Sequence, residues 1–201
     1  MRLFKRSSER ADDRWIVVGL GNPGPRYEGN RHNLGAMIVE VLVRRGYGSL
    51  SRHKSGCLTA ERTFGDERAV IARPTSYMND SGQQVAQLMR WYKADLTHLI
   101  VIHDELDIPY GQIRVKIGGG TAGHNGLRSV VRHAGSPDFL RVRVGVSRPR
   151  GHQDPADYVL SDFTAQERAS LDDVIERAAD AVERIVEVGP DRAMNEINTR
   201  A

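Results

Sequence analysis

With 201 residues, 39% of them apolar and 27% charged, the chain is long enough for one domain with a sizeable core, and its composition is ordinary for a soluble globular protein. No apolar run approaches the roughly 18 residues that span a bilayer, which excludes an integral helical membrane protein. The net charge of +3 is mild but uneven: Lys and Arg crowd residues 114–150 while acids dominate 154–187, so the basic half is either a surface for a polyanion or only a solvated face.

Residues 1–13 are basic and Ser-rich, yet they carry Glu9, Asp12 and Asp13 and no apolar stretch. They read as a flexible leader rather than a secretory signal, ahead of a single domain over 14–201. Trp15 to Gly19 is a buried strand. Leu34, Met37, Ile38, Val41 and Leu42 recur at helical spacing, with Gly46 as a stop. Two strands follow near 57–63 and 69–73, with Gly65-Asp66 as the turn between them. Cys57, the only cysteine, falls in the first of these; it excludes a disulfide framework and reads as a small packed hydrophobe. Ser81 with Gln84 has the capping-box spacing ahead of a helix, and LIVIH at 99–103 is another buried strand. The stretches 112–118 and 140–147 alternate as half-exposed strands around a short helix marked by Leu127, Val130 and Val131. Thr164 with Glu167 opens a long amphipathic helix that ends at Gly189-Pro190, and a short helix near 191–198 closes the chain. The last helical turns either pack on the core or close over a cleft. Strands alternating with helices predict an α/β fold, a twisted mixed β-sheet flanked by helices in one domain.

Four loops next to these elements carry polar groups suited to chemistry. Gly19-Leu20-Gly21-Asn22-Pro23-Gly24 fits G-x-G-x-x-G, but the loop runs on through Pro25, Arg26, Tyr27 and Gly29, and Glu40 falls inside a helix. A dinucleotide fingerprint needs the last glycine to open a helix and an acid at the end of a second strand, so that reading fails. What remains is a tight loop presenting Asn22, Tyr27, Arg31, His32 and Asn33. The second loop holds Tyr77, Met78 and Asn79, of which Tyr77 and Met78 are either core or an apolar wall for a bound peptide. The third is His103-Asp104-Glu105-Leu106-Asp107, and the fourth is the glycine loop 118–126 with His124 and Asn125. The fourth lacks the Gly-Lys-Ser/Thr ending of a P-loop, there is no nucleophile elbow, and no histidine pair has helical metal spacing. Attack by water, assisted by a histidine that a carboxylate orients, is the simplest chemistry these residue types support. The acids around Asp104 are either a solvated turn or a divalent-metal site. His103 and His124 are either functional or simply bonded within their loops.

GLGNPGPRYEGNRHNLGAMIVE, RPTSYMNDSGQQV, VIHDELDIPYG and GGGTAGHNGLRSV, in this order, resemble the signature stretches of bacterial peptidyl-tRNA hydrolases, and FLRVRVGVSRP and DYVLSDF resemble later segments of that family. The resemblance covers roughly 15–195 and implies hydrolysis of the ester between a peptide and the terminal ribose of tRNA. It implies His32 as catalytic base with Asp104 holding its imidazole. Asn22 and Asn79 would bind the peptide and help place water or the carbonyl, and Asn125 would bond substrate or the attacking water. Tyr27 would lie where the tRNA end enters. Lys116 and Arg143 would take the tRNA 5′-phosphate. Alternation supports that last pair from the residues themselves: Arg114 and Lys116 share one strand face, as do Arg141 and Arg143. Thr121-Ala122 and Asp80 depart from the family's usual residues. No cofactor and no metal is implied. The expected partner is peptidyl-tRNA, the compartment the cytosol, and the working state a monomer without membrane contact.

Overall fold

A computed structural model describes residues 13–149 and 151–199. Most of the leader lies outside the described residues; Asp13 is exposed. The strands are β1 (Trp15–Gly19), β2 (Ser51–Arg52), β3 (Leu58–Phe64), β4 (Glu67–Arg73), β5 (Leu99–Glu105), β6 (Ile113–Ile117) and β7 (Leu140–Gly145). They form one seven-stranded sheet in the order β2-β3-β4-β1-β5-β7-β6. β4, β1, β5 and β7 run parallel, and β2, β3 and β6 join antiparallel at the flanks. The mixed sheet predicted from the alternation of strands and helices is the one formed.

Among the described residues the α-helices are α1 (Leu34–Arg45), α2 (Ser81–Tyr92), α3 (Asn125–Ala134), α4 (Pro155–Val159), α5 (Ala165–Val188) and α6 (Pro190–Thr199). Because strand side chains alternate, β1 feeds two cores. Val17 joins Leu34, Ile38, Val182 and Ile185 under α1 and α5, whereas Ile16 and Val18 join Val85, Leu88, Leu127 and Val130 under α2 and α3. β1 is buried on both sides, as an unbroken apolar run in a parallel sheet should be. α1 lies close to the sheet because Gly35 has no side chain: a Cβ there would sit 2.4 Å from the Ile102 carbonyl oxygen.

The outer edge of β6 is blunted by a side chain. Asn198 of α6 accepts from the Val115 N–H and donates to the Val115 carbonyl, both at 2.9 Å, so its amide imitates a neighbouring strand. α5 and α6 pack into the core and do not cover the cleft. Among the described residues no helix is long and apolar enough to cross a membrane.

Two local expectations need correction. The Thr164–Glu167 capping box forms, but Ser81 and Gln84 do not make one. A 3-10 turn over Met78–Asp80 runs directly into α2, so Ser81 has helical φ and ψ of −54° and −37° instead of an extended cap geometry. Gln84 accepts the Thr75 N–H at 2.8 Å and ties down the loop before the helix. The other is α4, which the sequence reading did not contain. Asp154 caps it and Pro155 occupies its first turn, a start signal visible in the chain.

Candidate active site

The chain leaves β1 toward β4 on one side and later returns to β5 on the other, so the carboxyl ends of β1 and β5 flank a reversal of strand order. Open α/β sheets bind ligands at such a point. A cavity of about 530 Å³ lies there, lined by Asn22, Tyr27, His32, Asn79, Asp104 and Asn125 among others. Five short segments meet around it, and each holds its functional side chain for a local reason.

His32 sits in a 3-10 turn, Arg31–Asn33, that leads into α1, and it is buried. Its Nδ1 faces Asp104 at the end of β5, 2.9 Å from Oδ1 and 3.1 Å from Oδ2. A carboxylate only accepts, so Nδ1 carries the proton and Nε2 keeps a lone pair for the cavity. Burial by itself disfavours the imidazolium, but the charge and hydrogen bond of Asp104 outweigh it and raise the His32 pKa above its ordinary value. Burial likewise opposes the charge on Asp104, and the two imidazoles bonded to it hold its carboxyl far below the usual range.

The second imidazole is His124. Its Nδ1 accepts the Leu127 N–H at 3.3 Å as the N-cap of α3, and its Nε2 lies 3.1 Å from Asp104 Oδ1. Nε2 therefore bears the proton. His32, Asp104 and His124 bring three ligand-type atoms within 4.8 Å of one another. A histidine ligand normally donates its second N–H to an acceptor, whereas the second nitrogen of His124 faces a donor, so the triplet is built for hydrogen bonding and not for an ion. His103 donates from Nδ1 to the Asp104 backbone carbonyl at 2.6 Å; burial pushes its pKa down to about 3. Its Nε2 has no hydrogen-bond partner among the described residues.

The asparagines are placed with defined polarity. Asn22 accepts the Met78 N–H on Oδ1 at 2.8 Å, which turns its amide NH₂ to the remaining side. Its backbone is held by Asn33, which accepts from the Asn22 N–H at 2.8 Å and donates to the Asn22 carbonyl at 2.9 Å. Asn33 thus shapes the loop, a role that composition alone did not assign. Asn79 and Asn125 are exposed on the cavity wall, and Arg128 donates to the side-chain Oδ1 of Asn125. Met78 is buried at the floor, packed so closely to Gly126 that a Cβ there would fall 2.4 Å from its sulfur. Tyr77 is 57% exposed and meets the edge of Tyr27 at 6.4 Å, so it stands at the rim rather than in the core.

The far wall is α4, through Asp154, Pro155, Ala156, Val159 and Leu160. Arg31 secures that segment to the His32 turn. It donates to Ser161 Oγ and the Asp162 carbonyl, both at 2.7 Å, and pairs with Glu167 at 2.6 Å. Arg31 was visible beside His32 in the chain, but its partners lie about 130 residues away, as its 136-residue separation from Glu167 shows.

The basic residues separate into two groups. Arg114 faces Arg143 and Lys116 faces Arg141 across the β6–β7 ladder, so all four share one face as alternation predicts. Arg141 is buried, however, and donates to the carbonyls of Gly119 and Gly120 at 2.8 and 2.6 Å; it clasps the glycine loop and is not part of a phosphate surface. Arg114 donates to the Asn198 carbonyl. Lys116 is exposed with its Nζ beside Gly119, and Arg143 is half-buried and bonded to Glu105 at 3.1 Å. Cys57 is no nucleophile: burial pushes its thiol up to about 11.

The family model described as Peptidyl-tRNA hydrolase matches residues 16–201. The chain belongs to the peptidyl-tRNA hydrolase family. Relatives named peptidyl-tRNA hydrolase include one from Frankia casuarinae, 52% identical over 92% of this chain and 93% of that protein. Another, from Kineococcus radiotolerans, is 48% identical over 94% of this chain and 99% of its own length. The crystal structure of peptidyl-tRNA hydrolase from Acinetobacter baumannii is similar, with a TM-score of 0.86 and 34% identity over 95% of this chain and 97% of that one. The seven-stranded mixed sheet with flanking helices is therefore the fold of the peptidyl-tRNA hydrolase family.

Proposed function

We propose that this peptidyl-tRNA hydrolase releases the peptide from tRNA by attack of water on the ester carbonyl, with His32 Nε2 taking the proton. The reading rests on one observation above all: Asp104 engages Nδ1 of His32, which fixes the tautomer whose Nε2 is basic and lines the cavity. A base so placed typically contributes about 10²–10⁴-fold. Asn22 turns its amide hydrogens away from Met78 and is suited to donate to the scissile carbonyl or to the oxyanion, a contact typically worth about 10²–10³ in rate. Asn79 and Asn125 bind the first peptide units and the water, with Tyr27 and Tyr77 at the rim where the tRNA end enters. An uncharged amide next to the ester suits these neutral groups, so a free amino terminus there makes ordinary aminoacyl-tRNA a poor substrate.

Lys116 and Arg143 take the 5′-phosphate of the acceptor arm, which positions the ester without reading sequence. Arg143 reaches it while bonded to Glu105, so its charge is shared between the carboxylate and the phosphate. A domain over 14–201 acting as a monomer in the cytosol completes the reading, with peptidyl-tRNA as substrate and no cofactor or metal in the chemistry.

The test is hydrolysis of N-blocked against unblocked aminoacyl-tRNA by wild type and His32→Ala, in EDTA. Rapid release from the blocked substrate alone, reduced about 10²-fold or more in the variant, is the expected result. Undiminished release by His32→Ala removes the base assignment, and binding of tRNA with both esters left intact removes the hydrolytic reading.

A further inference from the structure

Asp104 serves two imidazoles. Its Oδ1 lies 2.9 Å from His32 Nδ1 and 3.1 Å from His124 Nε2, and the two rings are 4.7 Å apart. Orienting a base needs one carboxylate partner, so the second imidazole is surplus to that task. Its polarity is set from outside the pair, because Nδ1 of His124 is occupied by the Leu127 N–H. A nitrogen that accepts does not bear the ring proton, so Nε2–H is aimed at Asp104.

We infer that His124 is a positioning residue for the reaction, a fixed N–H donor that draws on the charge of Asp104 and so holds down the basicity of His32. The inference rests on His32 being the base. A hydrogen bond to an ionised carboxylate stabilises that form and weakens its pull on a second proton. Asp104 thereby orients His32 without stabilising its imidazolium so far that Nε2 is blocked near neutral pH. The other titratable or charged groups facing the pair are engaged elsewhere. His103, whose ring is 5.0 Å from that of His124, donates to the Asp104 backbone, Glu105 holds Arg143, and Arg31 holds Glu167. Asp154 accepts from the Ala156 N–H, and Tyr27 lies on the cavity wall.

His124→Asn separates this role from a merely structural one. Asparagine is a good N-cap, so its oxygen still receives the Leu127 N–H, but its amide is too short to reach Asp104. His124→Gln places an N–H near the position of Nε2. In His124→Asn the acid limb of kcat/KM for N-blocked aminoacyl-tRNA moves up by about one pH unit, the scale of one charge-assisted hydrogen bond. At a pH one unit below the wild-type limb, activity falls about tenfold and recovers in alkali, and His124→Gln returns the limb most of the way. Imidazole NMR of His32 in the substrate-free protein shows the same upward shift without any turnover. An unmoved His32 titration in His124→Asn, with or without a lowered plateau, overturns the inference and leaves His124 as a helix cap. If the titration moves while His32→Ala stays active, the coupling stands and the base assignment is what fails.

Discussion

The behaviour of single residues at the centre is governed by where protons sit. The base proposed at His32 requires an unprotonated Nε2, and the pKa of His32 is raised, so the acid limb of kcat/KM is expected above the ordinary imidazole range. The same pair shapes stability with two opposite edges. The raised pKa of His32 contributes stability that is fully present in acid and is lost as pH rises through its folded-state value. The lowered pKa of Asp104 contributes stability present above the ordinary carboxyl range and lost as pH falls through its folded-state value. The pair therefore stabilises most between roughly pH 4 and 6.5, the two unfolded-state values. Asp104→Asn offers one oxygen to two imidazole N–H groups and turns its own amide against the other. Urea unfolding of this variant should lose the excess stability in that window, and kcat should drop about 10²-fold or more while KM changes little. A variant with wild-type kcat would show that the carboxylate does not prepare the base.

Among the elements, the segment from the His32 turn to α5 is held by one buried cation. Arg31 is 3% exposed and its guanidinium reaches Ser161, Asp162 and Glu167, while Glu167 also closes the capping box of α5 by accepting the Thr164 N–H at 2.7 Å. Glu167→Ala leaves that cation buried without its anion and removes half of a helix cap. A loss of about 3 kcal/mol in urea unfolding is expected, since breaking a buried pair from one side costs more than the pair contributes. Because α4 ends at Val159, just before these anchors, and forms the far wall of the cavity, KM for N-blocked aminoacyl-tRNA should rise as well. A variant within about 0.5 kcal/mol of wild type would make Arg31 a surface-like pair and sever the wall from the turn.

Over the whole molecule, the basic face between β6 and β7 is smaller than the count of its arginines suggests. Arg141 is spent on the glycine loop and Arg143 shares its charge with Glu105. If Lys116 and Arg143 each neutralise a phosphate, then Lys116→Ala and Arg143→Ala should each lower the slope of log K for tRNA against log salt by about 1. Glu105→Gln should act in the opposite direction, tightening tRNA binding and slowing turnover where product release limits it. A slope unchanged by both alanine variants would place the phosphate contacts elsewhere. Alternation made the shared face of the four cations legible in advance, because a strand's side chains repeat every second residue whatever surrounds them. Their separate engagements, Arg141 with the glycine loop, Arg114 with Asn198 and Arg143 with Glu105, were not legible, because they depend on which carbonyls and carboxylates the fold brings beside each guanidinium.

The sequence by itself determined the elements with strong periods, the α/β mixed sheet, the Thr164–Glu167 cap and the residue types gathered by the four loops. Periodicity and caps are short-range properties, written within a few residues of where they act. Only the tertiary structure decided that Ser81 is inside its helix, that α4 forms the wall in place of the terminal helices, and that Asn33 and Arg31 hold the site together. It also decided that Asp104 is shared between His32 and His124, residues 92 positions apart in the chain (124 − 32). The direction of a hydrogen bond depends on the partner the fold supplies, and no local pattern in the chain encodes that partner.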